Sequence, residues 1–450
     1  MHRLRIAALL LAAVLPASAQ TLARPGLAGS GLNADPWWRQ AVFYQVSASP
    51  ANPPGSSPAE QLHLQQSADL SSITTCLDAL HSLGVDALIV PMPALPSSLA
   101  PAPALDDFDE LVHQASRRGI RVLVDFPAST VAPDLPAIAR FWLSRGVAGF
   151  HLVTPPDTSP RDAQSILQAL RQITGSVVGN RIVISDFNPA AGVAPPASPA
   201  PRQPSHPASA RRANRSSDSA SAQLQIDSQL SQLDLPDAAG LRTLLTQSLA
   251  VPNLLLDLHP PASTPGSPDP YPALAHAIAA ILLTTHSAAL IDAGPDLVLQ
   301  PDPTSAPEAA QPPLTPARTF AINHPASTPR PAAAPPAPSL ADWYSNLSAL
   351  HHGNATVRYG SVILLNFDAQ NALVWLIRPA AKSGLAPPVV VACNLSASPL
   401  RLSLTAAIHG LNLRGSYLLT LLRSDQAMGA QDLDSVSLPP FAVYIGELHR

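Results

Sequence analysis

Three times in the first third of this 450-residue chain, an amphipathic helical run stops at a glycine and passes directly into a short apolar run rich in β-branched residues. Ile73, Leu77, Leu80 and Leu83 recur at helical spacing before Gly84, and Phe108, Leu111, Val112 and Ala115 do so before Gly119. A third helical run, residues 135–145, stops at Gly146. A glycine just past the last helical turn takes the left-handed conformation that turns the chain out of the helix. Strands are predicted at residues 85–90 and 120–125, and within 146–153 the chain turns through Gly146 into a short apolar strand. Helix alternating with strand is the pattern of parallel βα units. The alternation continues through a helix at 165–173 and strands at 181–186, 224–227 (weakly), 253–257 and 288–292, and a first strand lies within 36–46. Eight such units close into a barrel.

The rest of the chain limits where that barrel sits. His2, Arg3 and Arg5, an apolar run over 6–15 and Ala17-Ser18-Ala19 read as a secretory signal peptide over residues 1–19, so the mature chain is expected to be exported, periplasmic or secreted. The apolar run is too short to span a bilayer, and no later stretch is long and apolar enough. A net charge of −4 over this length argues against a nucleic-acid or membrane-surface partner. Many of the 52 prolines fall in two tracts. Residues 188–222, rich in Pro, Ala, Ser and Arg, carry too little apolar surface to offset their ordering entropy and are expected to be disordered. Arg202, Arg211, Arg212 and Arg215 in that tract suit either an acidic partner or, the preferred reading, plain solvation. Residues 300–338 read as a Pro-rich linker, followed by a helix at 340–352 and strand-rich sequence to the end. Cys76 and Cys393 fall in a helix and a strand of different domains; two buried thiols are expected, with a bridge as the alternative in an oxidising compartment.

Residues 140–153, R-F-W-L-S-R-G-V-A-G-F-H-L-V, closely resemble a helix–turn–strand segment of the alpha-amylase family of glycosidases, in its alpha-glucosidase and maltogenic branch. The family's features are also matched by A-D-L-S-S-I at 68–73, L-G-V-D-A-L at 83–88, the run at 108–125, N-A-T-V-R-Y-G at 354–360, V-V-V-A-C-N-L at 389–395 and L-P-P-F-A-V-Y-I at 438–445. The resemblance covers the mature chain apart from the two Pro-rich tracts. It implies a lead-in at 20–35, an alpha-amylase-like (β/α)8 TIM barrel over 36–299, and a last barrel helix with a C-terminal antiparallel β-sandwich over 339–450.

The same resemblance fixes where chemistry is expected. A retaining glycosidase needs two carboxylates about 5 Å apart, one a nucleophile and one an acid/base. The family ends its fourth strand with arginine, an apolar residue and the nucleophilic aspartate; here His151, Leu152 and Val153 stand there, and valine has no lone pair with which to attack. Asp186 replaces the acid/base glutamate at the fifth strand and is one methylene shorter. Asp257, Leu258 and His259 replace the asparagine, histidine and stabilising aspartate after the seventh strand, so His259 is a degenerate stabiliser. Asp125 matches the family's first aspartate, while Ser129 and Thr130 replace the asparagine and histidine that follow it. Asp125, His151 and Asp257 are thus the candidate substrate-binding residues; Asp125, Asp186 and Asp257 are equally suited to capping a turn or pairing with a neighbour, and His151 to packing or solvation. Prolines, alanines and serines fill 91–105 in place of a sugar-holding motif. Residues 129–134 replace an inserted domain that is often calcium-binding, so no metal and no cofactor are expected. A metal held between His151 and His259 is a minor reading.

These substitutions occur together, which favours an exported alpha-amylase-like protein of carbohydrate (alpha-glucan) metabolism whose hydrolysis is lost or impaired. One alternative is an active glycosidase using Asp186 with a relocated carboxylate such as Asp157 or Asp257. Another is a non-catalytic module binding a glycan or a protein, although Phe187 and Tyr271 are the main aromatics expected near the mouth for stacking on sugar.

Overall fold

The computed structural model describes residues 36–46, 70–93, 103–128, 134–155, 158–186, 222–228, 237–251, 253–258, 271–286, 288–292, 339–365, 370–380 and 386–450. The expected signal peptide at residues 1–19, the tracts 188–221 and 300–338, Asp157, Phe187 and His259 lie outside these residues.

Eight parallel strands form one sheet: β1 (Val42–Gln45), β2 (Ala87–Pro91), β3 (Arg121–Pro127), β4 (Gly149–Val153), β5 (Ile182–Ser185), β6 (Leu224–Asp227), β7 (Leu254–Leu256) and β8 (Ala289–Asp292). Their order is β7-β6-β5-β4-β3-β2-β1-β8, and Cα atoms of the two outer strands approach within 8 Å, so the sheet curls into a nearly closed barrel. Sequential neighbours joined by crossovers and paired in parallel are what the alternating pattern predicts. Residues of one parity face inward: Phe43, Ile89, Leu123, Ile182, Ile184, Leu255 and Leu290 pack in a buried interior cluster. Those of the other parity, such as Val122, Val124, Phe150, Leu152 and Val183, join the layer between barrel and helices.

The helices around the barrel are α1 (Leu70–Thr75), α2 (Leu77–Ser82), α3 (Pro103–Arg117), α4 (Leu135–Ser144), α5 (Pro160–Gly175), α6 (Ala238–Leu249), α7 (Tyr271–Thr284) and α8 (Leu340–Gly353). The continuous helix expected before Gly84 is broken at Cys76, whose amide bonds back three residues to Ile73 O at 3.0 Å. The Ser/Thr-rich first half explains the break: Thr74 turns its hydroxyl to Leu70 O at 2.8 Å, the kind of local back-bonding that loosens a helix. α3 starts five residues before the expected 108, because Pro103 fits a first turn in which a missing N–H costs nothing. Gly146 has φ 97°, and Gly84 and Gly119 are likewise positive, as the turn reading requires. On the outside, Phe108 of α3 meets Trp142 of α4 edge-on at 4.8 Å, which registers two helices against each other.

A short helix, α9 (Ala355–Tyr359), leads into β9 (Ser361–Leu365), and the strands β10 (Ala372–Arg378), β11 (Val389–Asn394), β13 (Tyr417–Arg423), β14 (Ala430–Asp432) and β16 (Val443–His449) complete a six-stranded sheet in the order β14-β13-β16-β11-β10-β9. The pair β12 (Leu400–Leu402) and β15 (Val436–Leu438), with helix α10 (Thr405–Gly410), covers one face. Leu376, Val390, Ala392, Ile408, Leu418 and Leu438 form the core between them. The opposite face packs on the barrel layer through Trp375, Val391 and Ile445, and Trp375 Nε1 donates to Thr284 Oγ1 at 3.2 Å. The chain is therefore a TIM barrel followed by an antiparallel β-sandwich.

Cys76 and Cys393 form no disulfide. Cys393 is buried, which pushes its thiol pKa up, but Cys76 is only partly buried, contrary to the expectation of two buried thiols. Among the described residues no helix is long and apolar enough to cross a membrane. α8 starts from a capping box in which Ser339 Oγ accepts from Asp342 N at 3.1 Å and Asp342 Oδ2 accepts from Ser339 N at 3.3 Å. Ser339→Ala is expected to lower unfolding free energy by about 1 kcal/mol in urea titrations, with the slope unchanged.

Candidate functional site

The carboxyl ends of the barrel strands present the candidate residues in two tiers. Register pairs Asp125 of β3 with His151 of β4, and His151 with Ile184 of β5. All three share the inward parity. One step up the strands, Pro127 is paired with Val153, and Asp186 follows directly after β5 on the other side of Val153. The lower tier thus holds a carboxylate and an imidazole side by side. The upper tier holds an apolar side chain flanked by a proline and a carboxylate.

His151 Nδ1 donates to Asp125 Oδ1 at 2.8 Å. That bond fixes the ring and leaves Nε2 as the group presented to the barrel interior. His151 is only 4% exposed, and its Nε2 is buried without a hydrogen-bond partner. An imidazole nitrogen left in that condition costs about 1–3 kcal/mol, which a hydroxyl or a water at the mouth would recover. Asp186 is exposed and its Oδ2 accepts from Thr154 N at 3.2 Å, so the amide just past β4 holds the carboxylate against the strand that ends in Val153. Asp257 is half-buried beyond β7, and its amide donates to Asp227 O at 3.0 Å.

The structure therefore brings Asp125, His151, Val153 and Asp186 together on three adjacent strands, and puts Asp257 at the end of β7, a strand reached through β6. His259 lies outside the described residues, and so does the metal reading that depended on it. The pairing of His151 with Asp125 was missed in the sequence, where His151 was set against His259. Its signal was available: both residues stand two positions beyond an inward residue, Leu123 and Gly149, and those two are register partners. Thr154 was also missed, and no side-chain pattern would reveal it, since its backbone amide makes the contact. Among the described residues no group of three or more His, Cys, Asp or Glu side chains could hold a metal ion.

Chemically, these groups can accept and donate hydrogen bonds to polyhydroxylated molecules. Among the described residues of these two tiers, the carboxylate of Asp125 is engaged by His151, and Asp186 stands beside the strand that ends in Val153.

No family model matches the chain. Over 103 residues it is 36% identical to the trehalose-6-phosphate hydrolase of Escherichia coli strain K12, a stretch covering 20% of this chain and 17% of that enzyme. The chain thus spans less than a fifth of the length of the curated relative it matches. Among solved structures, it is similar to a mutant of the trehalulose synthase MutB from crystals soaked with trehalulose, with a TM-score of 0.59 and 16% identity over 92% of this chain and 100% of that one. The isomaltulose synthase PalI of Klebsiella sp. LX3 is similar over 92% of this chain and 99% of its own, with a TM-score of 0.57 and 16% identity. The chain has the fold of these synthases, a TIM barrel followed by an antiparallel β-sandwich. A further MutB mutant, in complex with its substrate sucrose, matches with a TM-score of 0.60 at 15% identity over 92% of this chain. The similarity in fold thus extends over nearly the whole length of those solved chains.

Proposed function

We propose that this chain is an exported alpha-amylase-like protein that binds alpha-glucans or related oligosaccharides and whose glycoside hydrolysis is lost or impaired. The observation that carries this reading is Val153. The resemblance places the attacking aspartate at the end of β4, where the chain has an apolar side chain, and the carboxylate in the tier below is hydrogen-bonded to His151 at 2.8 Å. The unpartnered Nε2 of His151 and the carboxylate of Asp186 are suited to sugar hydroxyls and need no covalent step. The sugar class is supported by similarity to proteins whose names and complexes specify trehalose 6-phosphate, sucrose and trehalulose. Export is supported by the basic start, apolar run and small-residue site of residues 1–19.

The test is hydrolysis of an aryl alpha-glucoside, maltodextrin and sucrose by the folded protein and by Asp186→Asn, alongside calorimetric titration with malto-oligosaccharide. The expected result is no turnover in either protein and saturable binding that His151→Ala weakens about tenfold, or about 1.4 kcal/mol. Turnover that disappears in Asp186→Asn would overturn the loss of hydrolysis. Absence of saturable malto-oligosaccharide binding together with absence of turnover would overturn the carbohydrate reading.

A further inference from the structure

One end of the C-terminal sheet is closed by segments held together through their backbones. Ser416 N, just before β13, donates to His449 O at 2.8 Å, and Leu448 N of β16 donates to Pro388 O, just before β11, at 2.9 Å. The turn after α10 is fixed by Asn412, whose φ of 57° is left-handed and whose amide donates to His409 O at 2.9 Å. Between these segments opens a cavity of about 750 Å³. That volume lies in the range of small-molecule sites.

The polar residues of its wall are Asn412, Arg414, Tyr417, His449 and Arg450, with no Asp or Glu side chain in the lining among the described residues. Arg414 and Arg450 are exposed, and among the described residues neither guanidinium has a hydrogen-bond or ion-pair partner. Other arginines of the domain are tied down: Arg423 donates through Nε to Asp425 Oδ1 at 2.7 Å, and Arg378 to Leu411 O at 3.2 Å. The acids on the neighbouring strands are placed elsewhere. Glu447 accepts from Asn354 Nδ2 at 3.1 Å and lies 3.4 Å from His449 Nε2. Asp432 is the register partner of Tyr417 on β14, on the flank of β13 away from His449. Tyr417 and His449, partners across β13 and β16, stack at 5.7 Å with 18° between their planes. That stack fixes the Tyr417 ring as a flat wall and leaves its hydroxyl without a hydrogen-bond partner among the described residues.

We propose that this cavity of the C-terminal domain binds a multiply charged oxyanion, carried by a phosphate- or carboxylate-bearing small molecule, with Arg414 and Arg450 as its charged contacts and Tyr417 and Asn412 as neutral donors. Guanidinium groups present paired donors that match the oxygens of phosphate and carboxylate. Two like charges lining one cavity raise each other's energy, and a dianion bound there relieves it. The lining takes no residue from the barrel, so the site stands independently of the carbohydrate reading.

The experiment is calorimetric titration of the full chain with inorganic phosphate and with citrate at constant ionic strength, which holds screening fixed. Saturable one-to-one binding of either anion, weakened at least tenfold in Arg414→Gln and in Arg450→Gln but retained in Arg401→Gln, is the expected result. Arg401 is an exposed arginine of the same domain, on β12 and outside the cavity, so its variant removes the same charge without touching the site. Phosphate alone binding would assign the phosphate source, citrate alone the carboxylate source. No saturable binding of either anion, binding left intact by both cavity variants, or equal weakening by Arg401→Gln would overturn the proposal. Both cavity arginines are exposed, so their variants are expected to keep the fold, which circular dichroism checks.

Discussion

Acidification from pH 6.5 to pH 4 is expected to cost the fold up to about 3 kcal/mol for each of two histidines, the buried His351 and the part-buried His286, at about 1.4 kcal/mol per pH unit of depression. Burial pulls the imidazoles of His286 and His351 down from 6.5 to about 4. His351 sits fully buried on α8, where the neighbouring His352 and Arg358 also disfavour its charged form. Its bond to Leu283 O at 2.8 Å and the charge of Asp86 oppose the shift only in part. His286 follows α7, with the Ser248 backbone and Asp227 opposing its depression. Both folded-state values lie below the unfolded one, so between pH 6.5 and 4 the unfolded chain binds more protons than the folded chain. The stabilisation from keeping these rings neutral is complete above pH 6.5, declines as pH falls, and is gone below about 4. Urea unfolding followed by tryptophan fluorescence at pH 7.0, 5.5 and 4.5 should show this decline, with His351→Gln removing about half of it. A flat profile over that range would show that both rings protonate in place.

The second large effect is expected at Gly149, the first residue of β4. A β-carbon there would fall within 2.9 Å of both the nitrogen and the carbonyl carbon of Ile182, its register partner on β5, and would overlap the carbonyl oxygen. Its φ of 155° is also one that side-chain-bearing residues rarely adopt. The obstacle is backbone held in a ladder, which cannot rotate aside as a side chain would. Gly149→Ala is therefore expected to destabilise by about 3 kcal/mol or more. Gly175→Ala, at the end of α5 where nothing lies within 4 Å, should stay within about 1 kcal/mol of the parent. Thermal unfolding of the two variants side by side separates them. The displacement would spread to the mouth, because Gly149 sets the height of His151 and Val153 on the same strand.

Much of the architecture was legible because it rests on periodicity. The three helix–glycine–strand repeats depend on local spacing, which a linear chain displays directly, whereas the sandwich was expected only through the resemblance carried by segments such as 354–360 and 438–445. Boundaries moved where local chemistry competed with that spacing, as at Cys76, where Ser and Thr hydroxyls weaken the helix, and at Pro103, where a proline starts one early.

What the sequence determined by itself was the barrel, the sandwich, and the identity of the side chains at each strand end, including the valine where a nucleophile would stand. Tertiary structure alone decided who meets whom. His151 pairs with Asp125, and not across the mouth, because parallel register sets the two residues side by side on adjacent strands. Asp186 is held by the amide of Thr154, a group every residue but proline carries and no pattern can mark. Arginines scattered from residue 39 to 181 gather at one end of the barrel only when the turns that carry them are brought together: Arg39, Arg121, Arg145 and Arg181 are separated in the chain by whole βα units. Charge at a distance in sequence becomes a local field only after folding has placed it, and spacing along the chain holds no record of that placement.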